Sequence, residues 1–254
     1  MTAATARTAP IRWELTWATA RRVLTQLRHD PRTVVMMIAV PSVLMVLLRY
    51  VLDNPAALNR FAPEFIGVFP FIIMFIVAAI TTQRERARGT LERLMAMPLG
   101  KLDLLAGYAI AFGVVACAQV GVVLAISLTW LGVQLPGSVA PLAVIAVLDA
   151  LLGMSLGLFA SAFARTEFQA VQFMPTFVLP QTLLCGIVVA RSQMTDVLRW
   201  VSDALPMSYA VDAMQQIGAG ASWSGPVNRD IGVILGFTVA ALIGGAMTLR
   251  RRTG

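Results

Sequence analysis

The sequence predicts an all-α membrane protein, because three of its properties are typical of a chain that folds in lipid. Of its 254 residues, 58% are hydrophobic and 13% are charged, whereas soluble domains carry about 25% charged residues. The apolar residues form long runs, close to the roughly 20 residues that a helix needs to cross a bilayer. The basic residues cluster between these runs, as they do in the loops of membrane proteins.

Six apolar runs are long enough to span the membrane. They cover about 34–52, 65–82, 104–132, 139–164, 168–190 and 231–249 of one domain, 1–254. The third and fourth are long enough to tilt, and Pro175 and Pro180 interrupt the fifth. Because membrane helices tolerate proline when neighbours satisfy the freed carbonyls, we expect a span there, with a re-entrant segment as the alternative.

The basic residues predict the orientation of these spans. Fifteen of the twenty Arg and Lys residues lie before the first span, in the second and fourth loops, or in the carboxy-terminal tail, and five lie on the other side. Cytoplasmic loops carry the excess of positive charge, so both termini are expected in the cytoplasm. The same bias explains the net charge of +7, and no nucleic-acid partner is expected.

Residues 11–29, before the first span, have the pattern of an amphipathic helix. Trp13, Trp17, Ala20 and Leu24 recur at helical spacing on one stripe, which Leu27 extends. A helix of this kind lies in the membrane interface, with its Trp rings at the level of the headgroups. The alternative is a solvated segment.

Two further helical patterns lie between the fifth and sixth spans. They cover 194–205 and 208–217, with Pro206 between them and Gly218 after the second. We expect two short helices at the outer face of the membrane.

The second loop also predicts a short helix, bounded by Gly89 and Pro98. Leu91, Leu94 and Met95 share one face of it, and charged residues occupy the others. A short helix with an apolar face suits docking into a groove of another protein. The alternative is an anchor at the positively charged side of the membrane, without a partner.

Asp149 is the central carboxylate of the predicted spans. It lies about ten residues into the fourth one, which is on the order of 15 Å deep. An ionised carboxylate at that depth costs about 2.5–3.5 kcal/mol, so we expect a neutral group or a wet cavity. Asp149 could contact a substrate or a proton; the alternative is a buried hydrogen bond, with Gln119 as the candidate partner.

The residue types exclude several kinds of chemistry. His29 is the only histidine and precedes the first span, which excludes serine–histidine and di-histidine metal mechanisms. The only Gly-Lys pair, Gly100-Lys101, precedes Leu102 and is no part of a Gly-x-x-x-x-Gly-Lys-Ser/Thr loop. The chain therefore cannot hydrolyse ATP by itself, and we expect it to bind no metal and no other cofactor.

Two motifs resemble those of the membrane subunits of type-2 ABC exporters, a family that includes the daunorubicin-resistance permeases. The first is the segment 84–94, RERARGTLERL, which precedes Pro98-Leu99. It is similar to the family's Glu-Arg-x-x-Gly-Thr-Leu-Glu-x-Leu stretch after the second span. The second joins Leu179-Pro180 and Gly186 to the segment 205–214, LPMSYAVDAM, and is similar to the family's fifth span and outer helices.

The resemblance extends over essentially the whole chain, because the two motifs occur in the family's order on the predicted topology. One departure is Gln215, where many relatives have arginine. The resemblance implies a permease subunit in a bacterial cytoplasmic membrane, working with a separate ABC ATPase that holds ATP and Mg²⁺. It also implies a coupling helix at about 89–97, and the candidate ATPase-coupling residues are Glu85, Gly89, Thr90, Leu91, Glu92, Leu94 and Met95.

The resemblance further implies a dimer of membrane subunits, which is formed by two copies of this chain or by one copy and a homologous permease. The second and fifth spans would line its path. Residues of the fifth span could line a path for amphiphilic substrates or bond across the dimer interface; the candidates are Gln169, Gln172, Pro175, Pro180, Gln181 and Gly186.

The expected cargo is a drug-like or lipid-like amphiphile, because the chain has no large soluble domain to recognise polymers. A polysaccharide or lipid-linked glycan exporter is the alternative. An ion-driven secondary transporter is less favoured, because that class uses inverted repeats and coupling carboxylates, and the sequence shows no repeat and one central carboxylate.

Overall fold

The computed structural model describes residues 12–90, 93–94 and 100–248, which are helical and contain no strand. The predicted all-α class is therefore confirmed. The α-helices of this part of the chain are α1 (Trp13–Arg28), α2 (Pro31–Leu52), α3 (Pro55–Ala87), α4 (Lys101–Ala125), α5 (Val139–Ser161), α6 (Glu167–Leu184), α7 (Asp196–Asp203), α8 (Pro206–Gly218) and α9 (Gly225–Thr248). A π-helical turn, Ile126–Trp130, extends α4, and a 3₁₀ turn, Arg191–Gln193, precedes α7.

Five of the described helices are long and apolar enough to cross a membrane, namely α2, α3, α4 with its π-helical extension, α5 and α9. The chain is thus a multi-pass membrane protein. The fifth expected span, 168–190, corresponds to α6, whose 18 residues give a length of about 27 Å. A hydrocarbon core is about 30 Å thick, so α6 is compatible with a span.

The course of α6 differs from the expected bounds only at its end. The helix runs through both Pro175 and Pro180 without a break, and it ends at Leu184 rather than at position 190. The early end has a local cause, because Gly186 adopts a φ of 103°, which is open to glycine and strained for other residues. The chain turns there and continues towards α7.

The helices meet at two ends of different character. At one end, which we call the arginine-rich end, the last turns of α3 and α9 meet the first turns of α4 and α6, and α1 lies against α4. Three contacts join these elements: Arg84 to Glu167 at 2.8 Å, Arg86 Nη2 to Thr248 Oγ1 at 3.5 Å, and Lys101 Nζ to the carbonyl oxygen of Ala246 at 3.2 Å. The other end, called the opposite end, carries the loops at 131–138 and 185–195 and helix α7.

The centre of the bundle is the crossing of α3 and α5, the most extensive helix pair in the described residues. Gly153 and Gly157 of α5 lie directly against the α3 backbone. A Cβ atom at position 153 would lie 2.4 Å from the carbonyl oxygen of Phe71, and one at 157 would lie 2.2 Å from that of Phe75. Such small-x-x-x-small pairs allow close helix approach in membranes, and glycine is the only residue that fits here.

The two expected outer helices are present as α7 and α8, but they differ in their surroundings. The α7 side chains Val197 and Trp200 are exposed, as expected at a membrane surface. By contrast, α8 is packed inside the bundle against α3, α5 and α9. Its Met214 side chain touches Gly67, and its last residue, Gly218, lies against Pro63. Small and apolar residues around most of α8 permit this burial.

Helix α1 packs closely on α4 through a face that includes Ala20 and Leu27 of the predicted stripe but not its two tryptophans. Its buried residues are Thr16, Thr19, Ala20, Val23 and Leu27. A Cβ atom at Gly107 of α4 would lie 2.5 Å from Thr19 Cβ, so the glycine permits this approach. Trp13 and Trp17 remain 72% and 64% exposed, which leaves their rings available to the membrane interface.

Candidate functional site

A buried polar cluster joins three helices at the arginine-rich end. Arg22 of α1 approaches Glu85 of α3 with an Nη2–Oε1 distance of 3.1 Å, and the same nitrogen donates to the Tyr108 hydroxyl of α4 at 3.2 Å. The Tyr108 hydroxyl in turn donates to Glu85. Glu85 and Tyr108 are 7% and 2% exposed. The cluster therefore links the predicted interfacial helix to the end of the second span.

Two neighbouring contacts extend this connection. Asp103 accepts a hydrogen bond from the backbone nitrogen of Gly100 at 3.2 Å and another from that of Arg12 at 2.8 Å, so it fixes the start of α4 against the start of α1. The Arg84 guanidinium donates to Glu167 and holds the pKa of that carboxyl below its usual range. The end of α3 is thus connected by side-chain contacts to α1, α4 and α6.

The predicted coupling segment leaves α3 beside this cluster. After α3, Gly89 has a φ of 66°, the left-handed conformation that commonly ends a helix. Thr90 follows it, and Leu94 packs against the apolar cluster that α1, α4 and α5 share. Three of the candidate coupling residues lie outside the described residues, namely Leu91, Glu92 and Met95. The coupling helix over 89–97 therefore stays a prediction.

The candidate residues of α6 separate into an exposed group and a group that forms hydrogen bonds within the protein. Gln172, Pro175 and Pro180 are exposed and lie among apolar side chains that are also exposed, which are Phe168, Val171, Leu179 and Leu183. Gln181 instead is buried, and its Nε2 donates to the carbonyl oxygen of Phe177 at 3.0 Å. The exposed face is the part of α6 that can meet a substrate or a second subunit.

The other two α6 candidates have local roles. Gln169 Oε1 accepts from the backbone nitrogen of Arg165 at 2.8 Å, which orders the start of the helix. Gly186 is buried, and its carbonyl oxygen accepts from Gln215 Nε2 at 3.4 Å. Gln215, where many relatives have arginine, thus connects α8 to the turn after α6.

Asp149 is completely buried in the middle of α5, close to the contact between α3 and α8. A Cβ atom at Gly67 would lie 3.4 Å from Asp149 Oδ2 and 1.9 Å from Met214 Cε. The expected bond between Asp149 and Gln119 is absent: Gln119 Nε2 donates to the carbonyl oxygen of Met37 at 2.8 Å. Within the described residues, neither Asp149 oxygen has a hydrogen-bond partner, because the two side chains face different neighbouring helices.

The replacement Asp149→Asn should leave the fold intact. An unpaired ion at this depth is costly, so the carboxyl is expected to be neutral, and the amide has nearly the same shape. We expect a change in the free energy of unfolding below about 1 kcal/mol, measured by thermal stability in detergent. Asp149→Lys, which places a longer and charged side chain at this completely buried position, serves as the disruptive comparison. Loss of the folded protein in Asp149→Asn would contradict a neutral carboxyl.

Several residues that organise these sites were not predicted from the sequence. Arg22, Tyr108 and Asp103 carry no local signal of their partners, because each bond joins distant parts of the chain. The Gly153-x-x-x-Gly157 spacing is a recognisable signal for close helix packing. Glu64 was also missed, although a carboxylate next to an apolar run is unusual enough to be noticed.

Comparisons with known proteins agree with this architecture. A family model described as "ABC-2 type transporter" matches residues 14–218. The chain is 28% identical over 167 residues to the probable multidrug ABC transporter permease YbhS of Escherichia coli (strain K12), an alignment that covers 65% of this chain and 44% of that protein.

Two further relatives are more distant. The chain is 25% identical over 185 residues to the linearmycin resistance permease protein LnrN of Bacillus subtilis (strain 168), covering 71% of this chain and 48% of that protein. It is also 25% identical over 164 residues to ABC transporter G family member 20 of Dictyostelium discoideum, covering 65% of this chain and 22% of that protein. The matched segments thus span less than half of each relative's length. The family model covers most of the chain, which therefore belongs to the ABC-2 type transporter family.

Proposed function

We propose that this chain is the membrane-spanning permease subunit of an ABC exporter that works with a separate ATPase subunit. The family match over residues 14–218 carries the proposal. The sequence supports the division of labour, because it lacks the phosphate-binding loop that ATP hydrolysis requires. ATP and Mg²⁺ are therefore assigned to the partner.

The arginine-rich end is the proposed cytoplasmic face, on which the ATPase docks. This orientation follows the positive-inside rule and puts both termini in the cytoplasm of a bacterial cell. The segment that follows Gly89 would receive the movement of the ATPase. Glu85 would pass it to α1 through Arg22 and to α4 through Tyr108, because these three side chains are in direct contact.

A second permease, either an identical copy or a homologue, is proposed to complete the translocation path. The exposed face of α6 supports this role, since it presents Gln172 and two prolines among large apolar side chains. An interhelical hydrogen bond from Gln172 would be stabilising in lipid. Gln181 is a weaker candidate for lining the path, because its side chain is buried and hydrogen-bonded within α6.

The proposed cargo is a drug-like or lipid-like amphiphile. Two relatives have names that refer to multidrug transport and to linearmycin resistance, which agrees with this class. A polysaccharide or lipid-linked glycan is the alternative cargo. Accumulation of a glycan precursor in a deletion strain, without any change in drug sensitivity, would favour the alternative.

Co-expression with candidate ABC ATPases is expected to yield a stable complex with one of them, which can be purified through a tag on this chain. Leu94→Ala and Glu92→Ala should each weaken this complex, because both residues lie on the segment proposed to dock. We expect at least about a tenfold loss of affinity for the stronger of the two, as is common for central interface residues. The measurement is the yield of ATPase after purification, followed by titration.

Leu198→Ala is the matched control, since it removes the same side chain as Leu94→Ala at the opposite end of the bundle. It should leave the complex unchanged. If the wild-type chain purifies without any ATPase and still drives export in reconstituted vesicles, the proposed function is wrong.

A further inference from the structure

A cavity of about 890 Å³ lies at the opposite end of the bundle, away from the polar cluster of Arg22, Glu85 and Tyr108. The first turns of α3, the loop after α4, the turn after α6 and the end of α8 form its walls. Small-molecule sites usually have volumes of roughly 300–1,000 Å³. The cavity is thus large enough for a drug-sized molecule.

Glu64 places a carboxylate in the wall of this cavity. The residue is only 2% exposed, and no side chain or backbone group of the described chain donates to its Oε2 atom. Gln215, which also lines the cavity, lies beside the carboxylate. A buried acceptor without a partner is unfavourable. A cationic group that enters the cavity and pairs with the Glu64 carboxylate would therefore be stabilised.

The remaining walls indicate which kind of cation fits. Besides the two charged residues, Glu64 and Arg60, they contain uncharged amides, such as Gln134, and apolar side chains, such as Ile187. Metal cations with two charges prefer six or more oxygen ligands, usually with several carboxylates. The described residues contain no group of three acidic, His or Cys side chains that could hold a metal ion. One carboxylate among amides and apolar groups instead suits an organic cation.

An arginine and an aromatic ring also line the cavity. The Arg60 guanidinium lies 5.5 Å from the centroid of the Phe61 ring, and both residues line the cavity. Aromatic faces attract organic cations by the same interaction. The positive charge of Arg60 limits the affinity of the cavity for a cation, because it opposes a second cation close to Glu64.

We propose that this cavity binds the cationic group of an amphiphile, with Glu64 as its counter-ion and the apolar walls in contact with its hydrophobic part. The proposal deepens the exporter function, because it assigns cationic amphiphiles as a substrate class that occupies the side opposite the ATPase. The proposal rests on the exporter function only where it calls the bound amphiphile a substrate, since binding itself requires neither ATP nor a partner.

The test uses two probes of the same shape and opposite charge, the tetraphenylphosphonium cation and the tetraphenylborate anion. Equilibrium dialysis measures their binding to the full chain in lipid nanodiscs, with empty nanodiscs as the background. We expect saturable binding of the cation to the wild-type chain. Glu64→Gln should weaken cation binding by about tenfold or more, because it removes the charge and keeps the shape, and should leave the anion unaffected.

Two further variants make the result independent of the stability of Glu64→Gln. Arg60→Gln removes the opposing charge and should strengthen cation binding several-fold, which is a change in the other direction. Asp196→Asn removes one negative charge at the same end, outside the cavity, and should change nothing. If Glu64→Gln does not fold, the Arg60→Gln result alone decides the matter: an unchanged or lower affinity overturns the proposal.

The proposal is also overturned if the wild-type chain shows no saturable cation binding, or if Glu64→Gln binds the cation as tightly as the wild type. A parallel loss of cation and anion binding counts against it as well, because that indicates general damage to the cavity. Failure of the exporter function is distinguishable. A chain that binds the cation through Glu64 but forms no complex with an ATPase refutes that function and leaves the present inference intact.

Discussion

Gly157→Ala is expected to lower the free energy of unfolding by about 1–3 kcal/mol, the usual cost of overpacking a tightly packed site. The added methyl group would lie 2.2 Å from the carbonyl oxygen of Phe75. Because this atom belongs to the backbone of α3, the clash cannot be relieved by a side-chain rotation. The two helices must separate along the most extensive contact of the bundle. The melting temperature in detergent should fall by roughly 2–10 °C.

Gly236→Ala on α9 is the matched control for this prediction. No atom lies within 4 Å of a Cβ atom at that position, and alanine is intrinsically better than glycine in a helix by about 1 kcal/mol. The control should therefore be neutral or slightly stabilising. A Gly157→Ala variant that melts at or above the wild-type temperature would show that α3 and α5 do not cross as closely as described.

Long apolar helices were the part of the fold most accessible from the sequence. The first and sixth runs were expected at 34–52 and 231–249 and are found at Pro31–Leu52 and Gly225–Thr248. Hydropathy works here because lipid excludes unsatisfied polar groups. It fails where a helix leaves the membrane, so the second run, expected at 65–82, proved to be the much longer α3, Pro55–Ala87.

The position of α8 could not be predicted in the same way. Its sequence is amphiphilic enough for a membrane surface, yet its residues are buried between α3, α5 and α9. Hydropathy measures the preference for an apolar environment and does not distinguish lipid from the interior of a protein. Gly67 and Gly218, which allow α8 to fit closely, have significance only once the neighbouring helices are known.

The candidate sites also divide into residues that the sequence could identify and residues that it could not. The segment after α3 was found through a local motif, because its residues are contiguous. The partners of Glu85 and Gln119 were not found from the sequence, because they are distant along the chain. Arg22 is 63 positions from Glu85, and the Met37 carbonyl is 82 positions from Gln119. A hydrogen bond to a backbone carbonyl leaves no trace in residue types. Composition alone therefore suggested the Asp149–Gln119 pair. The packing of α2 against α4 instead gives Gln119 a backbone partner, the carbonyl oxygen of Met37.

Glu85→Ala should have the largest effect of any single replacement at the arginine-rich end. It removes the acceptor for both Arg22 and Tyr108 and leaves a largely buried guanidinium without its counter-ion. Breaking a buried ion pair on one side costs about 3–5 kcal/mol, so we expect a marked loss of thermal stability. Because the same contact joins α1 to α3, the stimulation of the proposed partner ATPase by the proposed amphiphilic cargo should fall in parallel.

A double-mutant cycle separates the pair from the individual side chains. The double variant Arg22→Met/Glu85→Gln removes both charges and should recover most of the stability lost in Glu85→Ala, because no isolated charge remains buried. The exposed pair Arg84–Glu167, whose side chains are 46% and 48% exposed, provides the comparison. Its removal by Glu167→Gln should cost less than about 1 kcal/mol. Equal losses for the two pairs, or a double variant as unstable as Glu85→Ala, would mean that the position of Glu85 depends on packing rather than on its charge. In that case the link from the ATPase-facing loop to α1 would have to run through the apolar contacts of Leu94 instead.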